Sequence, residues 1–213
     1  MKISNKIKFL IKDNGLLAFS FLILKALKNR LKYKLYACLY GFDHAWFGVK
    51  PFLINIKKVK IGKDFYAERY LRFEVILHHH GVDYQPVCIV GNNVRMSDYC
   101  HIGCCSELII GDDVLIGSNV FITDHSHGNY SGCNQSSPEA PPNSRCLFIG
   151  SIEIGNNVFI GDGVTILPNV KIGHGAIIAA NSVVVSGTNI PMCSIYGGSP
   201  AKLIKSYINN EWV

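Results

Sequence analysis

Apolar residues in the second half of the chain recur every six positions. They are Ile154, Ile160, Ile166, Ile172, Ile178, Val184 and Ile190, and a second set repeats with the same period at Val158, Val164, Val170 and Ala176. Neither an α-helix nor an alternating strand places every sixth residue on one face. A chain that bends at a corner every six residues would place them so. Three straight segments then close one triangular turn, and the repeated apolar residues, here called anchors, all point inward. The pattern predicts an all-β solenoid, a parallel β-helix of the hexapeptide type.

The same period occurs earlier in two shorter runs, Val90, Met96 and Ile102, then Ile110, Ile116 and Ile122. A two-residue slip separates these runs, and a longer break over residues 123–145 precedes the third run. About eighteen residues for each triangular turn predicts on the order of five to seven coils.

Four segments are predicted from this pattern. Residues 1–40 form a basic, amphipathic helical segment, in which Asp13-Asn14-Gly15 interrupts the helix. Residues 41–86 form less regular first coils, with Val59-Lys60-Ile61-Gly62 as the first hexapeptide. Residues 87–196 form the β-helix, with a loop at 123–148 inserted, and residues 197–213 leave the prism through a turn and a short C-terminal helix that begins near Ala201.

The net charge of +6 is concentrated at the N-terminus. Residues 1–36 carry nine Lys or Arg and one acid, an excess of +8, so the remainder of the chain is at −2. A body without excess positive charge argues against nucleic-acid binding. The basic segment could cap the open end of the solenoid, or lie on anionic lipid as a peripheral anchor. The apolar run Leu16–Leu24 is too short to span a bilayer and no secretory signal is evident, so a cytoplasmic protein is expected.

The eight cysteines include no CxxC pair, and Cys88, Cys100, Cys104 and Cys105 fall within predicted coils, where a small thiol packs well. We expect them to be reduced, as is usual for a cytosolic protein.

The candidate chemistry lies where the repeat breaks. Directly after Ile122 comes Thr123-Asp124-His125-Ser126-His127-Gly128 at the root of the loop. An imidazole can take a proton from an attacking hydroxyl and release it later, and the Asp124 carboxylate could orient one ring. The alternative is a pair of solvated loop histidines. A second group, His78-His79-His80, is consecutive and cannot all face one metal, so we interpret it as a polar rim beside Gly81, with sugar contact as a second option.

Four longer segments carry a family resemblance: Ile116–Gly128, Ile154–Gly161, Val164–Gly173 and Gly197–Lys202. Through them the sequence resembles, from about residue 59 to 205, the hexapeptide-repeat acyltransferases of the galactoside, maltose and polysaccharide O-acetyltransferase branch. The segment that ends at Gly128 is most similar to enzymes that acetylate lipopolysaccharide O-antigen or capsule sugars.

The resemblance implies a left-handed β-helix and a homotrimer with active sites between neighbouring prisms. It also implies acetyl-CoA as donor, no metal, and a saccharide hydroxyl that attacks the thioester directly after activation by a histidine base. Counted without gaps from Ile122, the base of the family falls on His127. His125 is the alternative, and Asp124 would orient the base or contact the sugar. The group that stabilises the oxyanion stays unassigned.

Position within the family also suggests a CoA groove along the later coils, formed by Phe159, Asp162, Ala180, Val185 and Ser186, with Lys202 and Lys205 placed to meet phosphates. The alternative for the two lysines is an ordinary solvated helix end. Phe159 stands where relatives often carry tryptophan. Ser97 and Tyr99 lie in the coil where enzymes for small sugars carry an asparagine-type residue, which makes these two residues candidate acceptor contacts and a simple galactoside or maltose a less favoured acceptor.

Three other functions remain as alternatives. One is an O-acetyltransferase for a small sugar or a xenobiotic. Another is a zinc-dependent protein of the γ-carbonic-anhydrase kind, for which His101, His125 and His127 would supply the ligands. The third is a non-catalytic scaffold.

Overall fold

The computed structural model describes residues 2–42 and 44–213, with the backbone alone at residues 2–11, 13, 14, 16 and 33. The chain divides into two compact units, the first ending at Gly41 and the second beginning at Phe42. The first contains helix α1 (Lys2–Tyr40), which is interrupted at Gly15, where φ is 75° and ψ is 159°. This interruption is the one predicted from Asp13-Asn14-Gly15. In the part of the chain that the structure describes, no helix is long and apolar enough to cross a membrane.

The second unit is a three-sided parallel β-helix, as the six-residue period predicts. Six coils each place one strand in each of three sheets, A, B and C. The first three coils contain β1 (Ala45–Phe47), β2 (Phe52–Ile54) and β3 (Val59–Ile61); then β4 (Phe65–Ala67), β5 (Arg72–Val75), the hairpin β6 (His78–His79) and β7 (Val82–Asp83), and β8 (Val87–Val90); then β9 (Arg95–Met96), β10 (His101–Cys104) and β11 (Glu107–Ile110). A single 3-10 turn, Ile56–Lys58, precedes β3.

The remaining strands continue the same order. The fourth coil contains β12 (Leu115–Ile116), β13 (Phe121–Thr123), the inserted β14 (His125–His127) and β15 (Leu147–Ile149), and β16 (Ser151–Ile154). The fifth and sixth coils contain β17 (Phe159–Ile160), β18 (Thr165–Ile166), β19 (Val170–Ile172), β20 (Ile177–Ile178), β21 (Val183–Val184) and β22 (Asn189–Ile190). The last three strands, β23 (Ser194–Gly197), β24 (Lys202–Ile208) and β25 (Glu211–Trp212), follow β20 at the end of sheet A. A second 3-10 turn, Pro142–Ser144, lies in the inserted loop between β14 and β15.

The predicted anchors form the core. All thirteen, from Val90 to Ile190, are at most 1% exposed. They stack in register: Ile102 pairs with Ile122, Ile122 with Ile166, and Ile166 with Val184. Each buried aliphatic side chain contributes roughly 1.5–3 kcal/mol to stability, so the repeat itself supplies most of the driving force for the prism.

Regular coils begin at Ala45, earlier than the boundary at residue 87 that the sequence predicts. In this segment three of the core positions are filled by aromatic residues, Phe47, Phe65 and Phe73, each at most 1% exposed. The rings of Phe47 and Phe65 lie 5.4 Å apart. A search for aliphatic anchors misses Phe47 and Phe73, which are in register with the later anchors Met96 and Ile102, whereas Phe65 is in register with Val94 of the second apolar set.

At one corner of the prism, three successive coils, the second to the fourth, lack the turn that the other coils share. Between sheets B and C, the first, fifth and sixth coils turn through a left-handed residue: Asn55 (φ 51°), Asn169 (φ 59°) and Gly187 (φ 80°). Asparagine and glycine adopt this conformation most readily. The second coil inserts the hairpin β6–β7 at this corner, the third turns directly at Cys104-Cys105, and the fourth inserts residues 124–150. The two insertions therefore project from one edge, with a plain coil between them.

The predicted C-terminal helix is wrong, because Lys202–Ile208 is the strand β24, antiparallel to β23. The chain reverses after Gly198, where φ is 99°. The last coil leaves the N–H and C=O groups of β23 at a free sheet edge, and an added strand satisfies them where a helix would not.

Candidate active site

A cavity of about 590 Å³ lies on the outer face of sheet B, beside the corner between sheets B and C from which the two insertions project. Its floor is made by outward side chains of β5, β10 and β13, and its walls by the hairpin β6–β7 and by β14–β15. The two insertions that the sequence places 40 to 50 residues apart thus enclose one space, because they leave the prism at the same corner two coils apart.

Asp124 is completely buried at this corner. Its carboxylate accepts hydrogen bonds from the backbone N–H of Cys105 at 2.8 and 2.9 Å and of Ser106 at 2.7 Å. Nδ1 of His125 lies 2.9 Å from Oδ1. A buried carboxylate is costly unless donors surround it, and here three groups do so. Asp124 is therefore fixed to the tight turn of the third coil.

Two neighbouring side chains, Thr123 and Asp124, hold His125 at Nδ1 of the ring and at its backbone. Besides the Asp124 carboxylate, Thr123 Oγ1 lies 3.2 Å from Nδ1, and the Thr123 hydroxyl donates to the backbone carbonyl of His125 at 2.9 Å. A neutral ring that donates its Nδ1–H to Asp124 leaves Nε2 as the acceptor. The ring lines the cavity and 13% of the side chain is exposed. The arrangement presents Nε2 of an oriented imidazole to the cavity.

Space for this ring comes from Gly103 on the neighbouring strand. A β-carbon at position 103 would lie 3.0 Å from Cε1 of His125 and 3.4 Å from Oγ1 of Thr123. The sequence marks Gly103 only as a glycine of the repeat. Its place opposite His125 follows from the register of β10 with β13, in which Gly103 pairs with Thr123.

His127 also lines the cavity, but its described contacts are of another kind. Its ring lies edge-on against that of His79, with centroids 5.3 Å apart, and its backbone carbonyl accepts a hydrogen bond from the Tyr130 hydroxyl. Burial, and then the nearby His80, His127 and His125, lower the pKa of His79 below its ordinary value. The structure thus brings His125 and His127 to one cavity and joins the buried carboxylate of Asp124 to His125.

Arg145 organises the loop beyond this pair. Its Nη1 donates to the Tyr130 hydroxyl at 2.7 Å, and its Nε and Nη2 donate to the carbonyl of Ala140 at 3.0 and 2.6 Å. Tyr130 in turn bonds the backbone of His127. One side chain therefore connects both ends of the insertion to the wall of the cavity.

The floor of the cavity contains a charged cluster that the sequence analysis missed. Oε2 of Glu74 lies 2.5 Å from Nε of Arg72 and 3.0 Å from Nε2 of His101. Burial alone would raise the pKa of Glu74, but the hydrogen bonds from Arg72 and His101 together hold it below its ordinary value. Burial lowers the pKa of His101, although Glu74 opposes this. The cluster therefore combines an ionised carboxylate, a guanidinium and a neutral imidazole. The only sequence signal for it is that Arg72 and Glu74 alternate with core residues.

The other predicted site residues lie away from this cavity. Ser97 and Tyr99 are at the corner between sheets A and B, where the Tyr99 ring stacks on Tyr70 at 4.8 Å. Asp162 is at the same corner two coils on, where it accepts the backbone N–H of Ser118 at 2.5 Å, and Ala180 follows one coil later. This contact gives Asp162 a structural role of its own.

Of the remaining candidates for CoA contacts, Phe159 is on the outer face of sheet A and 42% exposed. Val185 and Ser186 are at the corner between sheets B and C, two coils beyond His125. Lys202 and Lys205 are on β24, and Nζ of Lys205 lies 3.4 Å from the carbonyl of Trp212.

A zinc site built from His101, His125 and His127 receives no support from the contacts. His101 bonds Glu74 on the preceding coil, and His125 bonds its sequence neighbour Asp124. Among residues 2–42 and 44–213 no group of three histidine, cysteine or acidic side chains is arranged to hold a metal ion.

Comparisons with known proteins agree with the fold. The family model Bacterial transferase hexapeptide (six repeats) matches residues 151–186. WbbJ of Escherichia coli (strain K12), named for O-acetyl transfer in lipopolysaccharide biosynthesis, is 44% identical over 126 residues, which are 59% of this chain and 63% of WbbJ. A chloramphenicol acetyltransferase of Klebsiella aerogenes is 36% identical over 115 residues, which are 49% of this chain and 54% of that protein.

Among solved structures, a galactoside acetyltransferase in complex with coenzyme A superposes with a TM-score of 0.50 and 25% identity, covering 76% of this chain and 62% of that one. The chain thus spans less than two thirds of the length of these relatives. The three-sided parallel β-helix and the matched repeats thus make this chain similar to the hexapeptide transferases over residues 151–186.

Proposed function

We propose that the protein is an acetyl-CoA-dependent O-acetyltransferase that acetylates a sugar hydroxyl of a surface polysaccharide, an O-antigen or a capsule, or of its lipid-linked precursor. The observation that carries this proposal is the buried Asp124 carboxylate bonded to His125 in the cavity of sheet B. The similarity to WbbJ supports the acceptor class, and the complex of the galactoside acetyltransferase with coenzyme A supports the donor.

In the proposed reaction, Nε2 of His125 takes the proton of the acceptor hydroxyl as the oxygen attacks the thioester carbonyl of acetyl-CoA. The new C–O bond forms, the C–S bond breaks, and the departing CoA thiolate takes the proton from the imidazolium. The products are the acetyl ester and CoA, with no acyl-enzyme. Asp124 keeps the ring in the tautomer that can accept a proton and stabilises the imidazolium.

We assign the base to His125 and not to His127, the position that alignment with the family favours. His125 has the carboxylate partner and the fixed ring, whereas the described contacts of His127 are with His79 and Tyr130. His127 would then contact the acceptor from the wall of the cavity.

The donor site needs a second chain in this proposal. Phe159, Asp162 and Ala180 lie on sheet A or its corner with sheet B, away from the cavity that holds His125. A homotrimer in which this edge of one prism faces the cavity of the next would bring the two halves together. Val185 and Ser186 would extend the groove, with Lys202 and Lys205 near the phosphates.

A location at the inner face of the cytoplasmic membrane would suit a lipid-linked acceptor. On α1 a stripe of leucines is exposed, with Leu17 at 89%, Leu24 at 65% and Leu31 at 74%, and Lys25 and Lys32 follow two of them. An apolar stripe flanked by lysines is typical of a helix that lies in an anionic interface. The protein should float with vesicles of anionic lipid and not with neutral vesicles; failure to float with either would remove this part of the proposal.

A second candidate is acetylation of a small xenobiotic hydroxyl, which the identity to the chloramphenicol acetyltransferase favours. One experiment separates the two. Purified protein with acetyl-CoA should add acetyl groups, detected by mass spectrometry, to de-O-acetylated bacterial polysaccharide fragments and not to chloramphenicol. Acetylation of chloramphenicol alone would establish the second candidate, and transfer to neither would overturn the proposed function.

A further inference from the structure

We propose that the outer face of sheet B is a subsite for sugars adjacent to the one that is acetylated, so that the acceptor is an oligosaccharide of at least two sugars. This inference rests on the proposed function and specifies its acceptor.

Four side chains form a row across the strands of sheet B. Phe52, Arg72, His101 and Phe121 occupy the same register position on β2, β5, β10 and β13. Adjacent strands lie about 4.8 Å apart, so the row spans roughly 14 Å. It begins at the strand that leads into His125 and is longer than a single sugar ring.

The row has an aromatic ring at each end, Phe52 and Phe121, and two planar polar side chains between them, Arg72 and His101. The guanidinium carbon of Arg72 lies 5.5 Å from the centroid of the Phe52 ring, and the rings of His101 and Phe121 are 4.9 Å apart. Phe52 is 53% exposed although it is a large apolar side chain. A pyranose ring has an apolar C–H face and a rim of hydroxyls, which an aromatic face beside planar polar groups complements.

Glu74 fixes the polar groups of the row. It engages Nε of Arg72, and no described hydrogen bond uses the two Nη groups, which are donors for sugar hydroxyls. It also accepts from Nε2 of His101, which leaves Nδ1 of a neutral ring as an acceptor. The carboxylate and guanidinium compensate each other in charge, so the row suits uncharged hydroxyls.

The row is continuous with the proposed reaction centre. Arg72, His101 and Phe121 line the same cavity as His125, and Phe52 lies one strand beyond Arg72. A sugar chain whose reactive hydroxyl reaches Nε2 of His125 would therefore continue along this face. Sheet A offers a matched control, because Arg95 lies 5.9 Å over the ring of Tyr66 on its outer face and outside the cavity.

The test uses de-O-acetylated bacterial polysaccharide, partially hydrolysed and separated into fragments of one, two, three and more sugars. The KM of each fragment is measured with acetyl-CoA for wild type, Phe52→Ala, Arg72→Ala and Arg95→Ala. We expect the wild-type KM to fall at least ten-fold between the single sugar and the longer fragments. Phe52→Ala and Arg72→Ala should remove most of this gain and leave the KM for acetyl-CoA unchanged, and Arg95→Ala should retain it.

Three kinetic results would overturn the inference: a wild-type KM that does not depend on length, an equal loss on every fragment in the Phe52 and Arg72 variants, or the same loss in Arg95→Ala. A changed oligomeric mass of Phe52→Ala, by light scattering, with an unchanged acceptor KM would also overturn it and show that a second copy covers this face. Acetyl transfer that persists without length dependence refutes this inference alone, whereas transfer to no saccharide refutes the proposed function itself.

Discussion

Gly103 and the ring of His125 are so close that a β-carbon at position 103 would lie 3.0 Å from Cε1 of the imidazole. Gly103→Ala should therefore displace the ring from its bond with Asp124 and lower kcat for acetyl transfer at least ten-fold. The loss comes from misplacement of the base, so CoA binding by calorimetry should remain near wild type. A fully active Gly103→Ala enzyme would show that the ring position is not needed for the reaction.

Asp124→Asn keeps the size of the side chain but replaces one accepting oxygen by an amide donor. The amide would face either the backbone donors of Cys105 and Ser106 or Nδ1 of His125, and one of these contacts must fail. A buried unsatisfied group costs about 1–3 kcal/mol, so the free energy of unfolding should fall by that amount in urea titrations. The rate of acetyl transfer should fall about 10²–10⁴-fold. An unchanged rate would exclude a role for Asp124 in orienting the base.

Glu74→Gln should change the pH dependence of stability. The pKa of Glu74 in the folded protein is below its ordinary value of 4.5, so the unfolded chain binds a proton first on acidification. The contribution of the carboxylate to the free energy of unfolding is therefore complete above pH 4.5 and is lost as the pH falls through the folded pKa. At pH 7 the Gln variant should be about 1–2 kcal/mol less stable than wild type, from the loss of charged hydrogen bonds.

This difference in the free energy of unfolding should narrow below pH 4.5. Glu153→Gln is the control, since its pair with Lys171 is half exposed, and surface pairs contribute little. A difference between wild type and Glu74→Gln that stays constant from pH 7 to pH 3.5 would contradict the assignment of Glu74 as an ionised group.

The buried cysteines should be unreactive in the native protein. Burial raises the pKa of Cys100 to about 11, and burial and then the charge of Asp124 raise that of Cys105 to about 12. Because the thiolate is the reactive form, iodoacetamide at pH 8 should label the exposed Cys133 and Cys146 and leave Cys100 and Cys105 unlabelled until urea is added. Peptide mass spectrometry measures this, and rapid native labelling of Cys105 would contradict the buried corner that holds Asp124.

The six-residue period was sufficient to predict the prism because the triangular turn alone decides which residues face the core. It also placed Asp124, His125 and His127 at an insertion. It could not decide between the two histidines, since that depends on how β14 pairs with β15. Nor could it pair Glu74 with His101, 27 residues away, because the hairpin between β5 and β8 hides the register. The C-terminal segment has no periodicity of its own, and the free edge of β23 determined its structure.

The identity of the base is the central claim. It is tested most directly by the rates of His125→Ala and His127→Ala, measured side by side with acetyl-CoA and a de-O-acetylated polysaccharide fragment. A general base contributes about 10²–10⁴ to the rate. We expect His125→Ala to lose at least a hundred-fold in kcat with normal CoA binding, and His127→Ala to stay within ten-fold of wild type. An active His125→Ala enzyme beside an inactive His127→Ala enzyme would contradict the account.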